Sequence, residues 1–282
     1  MSTLREIGIV LIFALMSTFS ASAQQLYITN ESHSSIELLN INTSVLTTLY
    51  NIGGQPDDLT LNSQGQLLYT VPIAGTVNLW DPKTGINTTL VSGEKWARDL
   101  EIEPGGQTML IAVYTPGSIV RYNFTTKTTT TLIKKLGTCD GIAYDPYGNL
   151  YAVANHNTII QINPTTGAII NTLVLEPHQG VNGGDGLTYD SYSGSLWATH
   201  DGTTGFGVIK IPVSASGFTS AGFTFYPSTA FSSPDGIKSD GKGNLYIGAI
   251  WTAVIYNIPT NSVTYSFVAK GADGVSLVPG TY

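Results

Sequence analysis

Short apolar runs alternate with turn-forming clusters along the chain from residue 25 onward. The runs are rich in Leu, Ile, Val and Tyr, and Gly, Pro, Asn and Asp separate them, as in Asp145-Pro-Tyr-Gly-Asn-Leu-Tyr-Ala-Val and Asp240-Gly-Lys-Gly-Asn-Leu-Tyr-Ile-Gly. Such a pattern is typical of short β-strands joined by tight turns. It predicts an all-β fold.

One six-residue segment recurs six times, with intervals of 38 to 50 residues between copies. Each copy except the last is followed by three further strand-like runs. Four short strands in a repeat of about 40 to 45 residues are typical of a β-propeller blade. The six copies are Pro56-Asp-Asp-Leu-Thr-Leu, Ala97-Arg-Asp-Leu-Glu-Ile, Cys139-Asp-Gly-Ile-Ala-Tyr, Gly184-Asp-Gly-Leu-Thr-Tyr, Pro234-Asp-Gly-Ile-Lys-Ser and Ala272-Asp-Gly-Val-Ser-Leu.

The two ends of the repeat region are out of phase with each other. Gln25-Leu-Tyr-Ile-Thr matches the second strand of a blade, and Asp273-Gly-Val-Ser-Leu matches the first. We therefore predict a six-bladed β-propeller of four-stranded antiparallel blades, in which the C-terminal strand completes the N-terminal blade. Such a ring leaves no unpaired sheet edge. An open solenoid is the alternative, but it does not explain the out-of-phase ends.

Residues 1–23 are interpreted as a secretory signal peptide. Arg5 precedes the apolar run Ile7–Met16, and Ala21-Ser22-Ala23 is a small-residue cleavage site. The run is shorter than the roughly 20 residues that span a bilayer, although a retained membrane anchor is the alternative. We expect residues 24–282 to form a single, secreted propeller domain.

Charge and cysteine content narrow the class further. Charged residues make up 11% of the chain and the net charge is −7, with 12 basic residues. This disfavours nucleic acid and anionic membranes as partners, and we expect a monomer that acts on a small molecule. The one cysteine, Cys139, excludes an intrachain disulfide and is expected to be a buried, inert thiol. Four sequons agree with secretion, at Asn30, Asn42, Asn87 and Asn123.

The repeat places polar residues at the start of each innermost strand, which lines the channel of a propeller. We call this set the axial ring: Asp57, Arg98, Asp140, Asp185, Asp235 and Asp273. Clustered carboxylates repel one another unless protons or a cation neutralise them. Oxygen ligands favour Ca²⁺ first, or Mg²⁺ or Mn²⁺. Alternatively, each Asp accepts backbone N–H bonds and only fixes the start of its blade. We expect Asp145, Asp190 and Asp240 to serve the opposite hairpin turns.

Histidines and aromatic residues are predicted on the same rim as the axial ring. They lie in the loops between second and third strands or just before a first strand: His33, His156, His178, His200, Trp96, Tyr114, Phe231 and Trp251. We expect Trp96, Tyr114, His156, His178 and Trp251 to wall a substrate pocket, with simple packing of the rim as the alternative. No histidine spacing matches a zinc or copper motif.

Motifs of several enzyme classes are missing from the sequence. It has no G-x-S-x-G, H-E-x-x-H, P-loop or dinucleotide-binding pattern. Serine hydrolases, zincins, kinases and dinucleotide enzymes are therefore not indicated.

The segment 234–246, Pro-Asp-Gly-Ile-x-x-Asp-Gly-x-Gly-Asn-Leu-Tyr, resembles the signature blade of one propeller family. This family comprises the senescence-marker-protein, gluconolactonase and luciferin-regenerating-enzyme-like propellers. Gly184-Asp-Gly-Leu-Thr-Tyr resembles its Asn-Gly-Leu segment, and NHL-repeat propellers are also similar. The resemblance implies a lactone or ester hydrolase with one divalent cation on the axis, held by a Glu, an Asn and an Asp that doubles as general base.

Counting blades carries these roles over to the chain. The Asp falls on Asp235, the Asn on Asp185, the Glu on Asp57, and a substrate-side Asn on Asp140. Three of these four positions depart from the family, and the added carboxylates should bind a cation more tightly but weaken its Lewis acidity.

The sequence therefore predicts a secreted, divalent-metal-dependent hydrolase of a lactone or related ester. Its metal ligands would be Asp57, Asp140, Asp185 and Asp235. Asp235 would be the general base, while Arg98 and His200 would stabilise the oxyanion. A non-catalytic propeller that binds a glycan, peptide or protein through the same rim is the alternative. A propeller that catalyses a cyclisation or isomerisation is a third hypothesis, and no residue of the sequence favours it.

Overall fold

The computed structural model describes residues 25–175, 184–202, 205–218 and 222–280. The predicted signal peptide and His178 lie outside the described residues, and both stay predictions. Among the described residues, no helix has the length and apolar character needed to cross a membrane.

The described chain forms twenty-five β-strands. In chain order they are β1 (Gln25–Asn30), β2 (Ser35–Asn40), β3 (Val45–Asn51), β4 (Leu59–Leu61), β5 (Leu67–Val71), β6 (Thr76–Trp80), β7 (Asn87–Ser92), β8 (Ala97–Ile102), β9 (Thr108–Val113), β10 (Ser118–Asn123), β11 (Thr128–Lys134), β12 (Cys139–Tyr144), β13 (Leu150–Ala154), β14 (Thr158–Ile162), β15 (Ile169–Val174), β16 (Gly184–Asp190), β17 (Ser195–Gly202), β18 (Gly205–Ser214), β19 (Gly217–Phe218), β20 (Thr224–Ser228), β21 (Pro234–Ser239), β22 (Asn244–Ala249), β23 (Thr252–Asn257), β24 (Ser262–Val268) and β25 (Ala272–Leu277).

These strands form six antiparallel sheets, which are the blades of a propeller. Blade 1 has the strand order β25-β1-β2-β3, and blades 2, 3, 4 and 6 are β4–β7, β8–β11, β12–β15 and β21–β24. Blade 5 is β16, β17, β18 and β20, with the short β19 added against β18. The predicted fold class is confirmed.

Blade 1 closes the ring. In its pairing, Leu26 faces Leu277 and Ile28 faces Val275, so the last strand completes the first blade as predicted. The innermost strands β25, β4, β8, β12, β16 and β21 each contact the next one around the ring. The pairing of β25 with β1 therefore covers the edge of β1 that an open array would expose.

Apolar side chains fill the space between neighbouring blades. Six hydrophobic clusters are present, and each combines residues of two consecutive blades. Large side chains such as Trp197, Tyr151 and Tyr246 are completely buried there. Cys139 also lies in such a cluster, and burial raises the pKa of its thiol, which agrees with the predicted inert role.

Carboxylate side chains hold the backbone of the outer hairpin turns. Asp145 Oδ1 accepts hydrogen bonds from the backbone N–H groups of Tyr147 and Asn149, as predicted for a turn residue.

Asn30 was predicted as a glycosylation site, but its side chain is buried and its amide donates to Glu37. The prediction of a glycan at Asn30 is therefore wrong, because a buried amide that bonds inside the fold cannot carry a glycan. Asn42 and Asn87 are exposed, and Asn123 is half-buried.

Glycine at the third position of the repeat lets the inner strands approach closely. A Cβ on Gly141 would lie 2.4 Å from the carbonyl oxygen of Asp185, and one on Gly186 would lie 2.4 Å from that of Asp235. Both contacts are with the backbone of the following blade, which cannot move without opening the ring. The glycines of this column are therefore required by blade packing.

Replacing Gly141 with Ala should destabilise the propeller by about 1–3 kcal/mol, because overpacking against backbone has no flexible partner to absorb it. Differential scanning calorimetry would show a melting temperature lower by about 2–4 °C per kcal/mol. Gly222→Ala is the matched control, since nothing lies within 4 Å of the added Cβ. Equal stability of the two variants would contradict the packing role.

Candidate functional site

The axial ring is built by an irregularity in the inner strands. In β8, Ala97 pairs with Val113 but Leu100 pairs with Ile111, so one extra residue is accommodated between them. The same shift occurs in β12, β16 and β21. It falls at the second and third residues of the repeat. Bulges of this kind redirect side chains, and here they coincide with the ring members.

The ring carboxylates separate into two groups. Oxygen atoms of Asp57, Asp235 and Asp273 lie within 4.8 Å of one another. Asp140 and Asp185 form the second group with His156, and its donor atoms also lie within 4.8 Å of one another. The four predicted metal ligands are thus brought to one rim, but divided between two clusters.

Arg98 connects the first group to the second. Its guanidinium forms an ion pair with Asp57, and its Cζ lies 5.4 Å from the centre of the Tyr114 ring. Arg98 Nε is buried and has no hydrogen-bond partner among the described residues. One cation thus stands among five carboxylates, so most of the negative charge is uncompensated.

Burial and mutual repulsion raise the pKa of the ring carboxyls. For Asp140, burial and the charges of Asp185 and Asp235 raise the pKa to about 8. For Asp235, burial and the charge of Asp185 raise it to about 6, against a lowering hydrogen bond from Asp273. The pKa values of Asp57 and Asp273 are raised well above the ordinary range, mainly by burial. The ring therefore binds protons, or a cation in their place.

His156 lies at the edge of the second group. Its Nδ1 is 3.6 Å from Asp140 Oδ2 and 3.7 Å from Asp185 Oδ1. Its Nε2 is 2.9 Å from the hydroxyl of Tyr114. Asp185 raises the pKa of His156, and Asp140 adds to this effect against partial burial. The imidazole is thus held by three ring or rim residues.

A second charged layer lies beneath the ring. Lys238 Nζ is 3.6 Å from Asp58 Oδ2 and 3.5 Å from Asp99 Oδ1. Both carboxylates also reach the following blade, where Asp58 accepts from the N–H of Leu100 and Asp99 from that of Ile142. Lys238 therefore ties blade 6 to blades 2 and 3 across the channel.

An acidic cavity of about 220 Å³ opens at the rim. Among the residues that line it are Glu31, Arg98, Asp185, Asp201, Asp235 and Asp273. A smaller space of about 20 Å³ lies deeper, between the ring and the residues Asp58 and Asp99. The smaller space holds about one water molecule.

Several predicted site residues lie elsewhere. His200, predicted to stabilise an oxyanion, is completely buried with its ring against Phe225, so it cannot reach a substrate. Trp96 and Trp251 are exposed and do not line the acidic cavity, and Phe231 is a core residue. Tyr114 and His156 border the second carboxylate group instead of the cavity. The assignment of His200 is therefore wrong, while a role of Trp96, Tyr114, His156 and Trp251 in a substrate pocket stays a prediction.

Sequence reasoning also missed several residues. Lys238 and Asp99 lie in the recurring segment, and the inward alternation of a strand could have placed them in the channel. Glu31 and Asp201 reach the cavity from loops or strand ends, where no repeat signal exists.

Comparisons with known proteins agree on the architecture. The sequence matches no protein-family model and no curated protein. A chain in the crystal structure of a nidogen/laminin complex superposes with a TM-score of 0.75 at 14% identity, over 93% of this chain and 100% of that chain. Virginiamycin B lyase from Staphylococcus aureus gives a TM-score of 0.64 at 16% identity, over 90% and 86% of the two chains. A catalytically inactive variant of that lyase with quinupristin gives the same TM-score and identity, over 90% and 88%. Likeness at this identity shows the fold alone.

Stability in the absence of divalent metal should fall as the pH rises from about 4 to 8. Between the ordinary Asp value and the raised pKa of about 8, folded Asp140 keeps a proton that the unfolded chain has lost. Calorimetry with a chelator present would show a falling melting temperature. Asp140→Asn should flatten the upper part of this slope, and Asp240→Asn, in a distant turn, should not. A melting temperature that rises over this range would contradict the charge balance.

Lys238→Met should lower the free energy of unfolding by about 3–5 kcal/mol at neutral pH, because it leaves buried carboxylates without their cation. Urea unfolding followed by tryptophan fluorescence would measure the loss. Lys83→Met is the control, since Lys83 is exposed in a turn. A loss no larger than that of the control would show that Lys238 does not compensate the channel charges.

Proposed function

We propose that the chain is a divalent-metal-dependent hydrolase of a lactone or related ester, similar to the senescence-marker-protein and gluconolactonase propellers. The observation that carries the proposal is the cluster of Asp57, Asp235 and Asp273. Their carboxylate oxygens lie within 4.8 Å of one another beside the acidic cavity. Raised pKa values of three neighbouring carboxyl groups mark a site at which a bound cation would stabilise the ionised forms.

The donor chemistry fits a hard divalent ion. All three donors are carboxylate oxygens, which suit Ca²⁺, Mg²⁺ or Mn²⁺. Asp57 is one methylene shorter than the Glu of the resembled family, and Asp273 from the closing blade supplies a further carboxylate. A bound ion would supply Lewis-acid activation of a carbonyl and of water.

Asp235 is suited to accept a proton. Its pKa of about 6 leaves the carboxylate ionised at neutral pH and basic enough to take a proton from water. The neighbouring Asp273 hydrogen-bonds to it and fixes its position. We assign Asp235 as the general base.

Arg98 is suited to stabilise negative charge on the substrate. Its side chain lines the cavity and is about one-third exposed, so the guanidinium can contact a bound substrate while it pairs with Asp57. We assign Arg98 to stabilise negative charge on the carbonyl oxygen of the substrate. The sequence predicts this role for Arg98 and His200 together.

The cavity limits the substrate class. At about 220 Å³ it is smaller than a typical drug-sized pocket, so it suits a small ring. Its acidic lining repels anions, which favours a neutral lactone and promotes release of the carboxylate product. Secretion, a monomeric state and glycans at Asn42, Asn87 and Asn123 remain part of this proposal.

A non-catalytic function is the second candidate. The acidic rim also suits a cationic side chain of a protein partner. A chain of the nidogen/laminin complex has the same fold, so propellers of this architecture do occur in protein complexes. In this case Asp235 and Asp273 would pair with a Lys or Arg of the partner.

Asp235→Asn should abolish lactone hydrolysis, whereas Asp145→Asn, in a hairpin turn, should retain it. The assay is a panel of small lactones with the purified protein, before and after chelation and with Ca²⁺, Mg²⁺ or Mn²⁺ restored. Mass spectrometry of the product identifies the reaction, since hydrolysis adds one water and a lyase adds none.

Activity that survives complete metal removal would overturn the metal-dependent hydrolase. A panel without turnover, together with retention on immobilised Lys- or Arg-rich peptides, would favour the binding function. Products of unchanged mass would favour a lyase.

A further inference from the structure

We infer that the rim carries a second metal site of different ligand chemistry, in which Asp140, His156 and Asp185 bind a transition ion such as Zn²⁺. The site uses none of the three carboxylates assigned to the hard ion. It is therefore tested without reference to hydrolysis.

The distances between the donor atoms fit an ion better than direct hydrogen bonds. His156 Nδ1 lies 3.6 Å from Asp140 Oδ2 and 3.7 Å from Asp185 Oδ1. Both exceed a hydrogen-bond length. Donors at about 2.0–2.2 Å from a tetrahedral ion lie about 3.3–3.6 Å apart. All three residues offer a donor atom within 4.8 Å of the others, so one ion can lie between them.

Asp140 provides an independent observation. Its side chain is only 10% exposed. Oδ2, the atom that faces His156, is buried and has no hydrogen-bond partner among the described residues. A buried oxygen without a partner is costly. A cation between Asp140 and His156 would remove this cost.

Tyr114 holds the imidazole in the orientation that metal binding needs. Its hydroxyl lies 2.9 Å from Nε2, so Nε2–H can donate to it and leave the Nδ1 lone pair directed at the carboxylates. Metal-binding histidines commonly use their other ring nitrogen in this way. The guanidinium of Arg98 lies over the Tyr114 ring, with Cζ 5.4 Å from its centre, and this contact helps to hold the tyrosine in place.

The hairpin turn that carries His156 has a left-handed backbone. Asn155 and His156 have φ values of +52° and +59°. Positive φ is the usual geometry of tight β-hairpin turns, and Asn and His adopt it more readily than most residues. In this turn the imidazole faces Asp140 of its own blade and Asp185 of the next blade.

One side of the site is open. The side chains of His156 and Asp185 are 39% and 23% exposed. Three protein ligands with an open fourth position are typical of catalytic rather than structural zinc. The nitrogen donor distinguishes this site from the oxygen-only cluster, which disfavours Ca²⁺ here.

Titration with Co²⁺, followed by its visible absorption bands, tests the inference, and Zn²⁺ competition gives the affinity. His156→Gly should weaken Co²⁺ binding by more than about 100-fold, and glycine suits the left-handed backbone. Tyr114→Phe should weaken it by about 10–100-fold, the range for partners of a ligand. His33→Ala, an exposed histidine bonded to Glu37, is the control and should bind as the wild type does.

Two further variants separate this site from the proposed hydrolase. Asp185→Asn should weaken Co²⁺ but not Ca²⁺, and Asp273→Asn should weaken Ca²⁺ but not Co²⁺. Circular dichroism checks that each variant is folded. Absence of Co²⁺ binding, unchanged affinity in folded His156→Gly, or displacement of Co²⁺ by stoichiometric Ca²⁺ would overturn the second site, whatever the lactone assay shows.

Discussion

The burial of like charges around a single axis is the constraint on which the rest of this structure depends. Closing six blades brings five carboxylates together at one rim, where water is partly excluded. An isolated buried carboxylate is unfavourable by several kcal/mol unless it is paired or protonated. The fold tolerates the ring because the blades are held by six apolar clusters that lie farther from the axis. Stability and chemistry are thus located in different layers.

Two cations limit the repulsion, and both cross between blades. Arg98 pairs with Asp57 of the preceding blade, while Lys238 reaches Asp58 and Asp99 across the channel. Neither pair lies within a single sheet. The channel charges therefore contribute to the relative position of the blades, in addition to the glycine column that sets their spacing.

The fold could be predicted because it rests on local and periodic signals. Turn residues and apolar runs repeat along the chain, and the out-of-phase ends identify the closing strand. The axial ring was predictable for the same reason, since each member occupies one column of the repeat.

His200 was wrongly assigned because it lies on a strand and not in a loop, and its side chain packs in the core between the blades. The division of the ring into two groups depends on side-chain positions that no spacing encodes. Tyr114 and His156 lie 42 residues apart, in equivalent loops of neighbouring blades, so the repeat predicts that the loops are adjacent but not that the two side chains are in contact.

The departures from six-fold repetition show where chemistry is concentrated. Positions that keep the Asp-Gly pair, as in blades 4, 5 and 6, contribute a carboxylate and a close strand contact. Blades 2 and 3 replace the glycine with Asp58 and Asp99, the two carboxylates that pair with Lys238 of blade 6 across the channel. Blade 4 adds the imidazole of His156 to the second carboxylate group. A symmetric ring would surround its axis with equivalent ligands, and every ion position would be alike. Because the substitutions fall on different blades, the two carboxylate groups have different neighbours, Arg98 for one and His156 for the other. This asymmetry gives a single axial rim two environments that differ in charge and in ligand type.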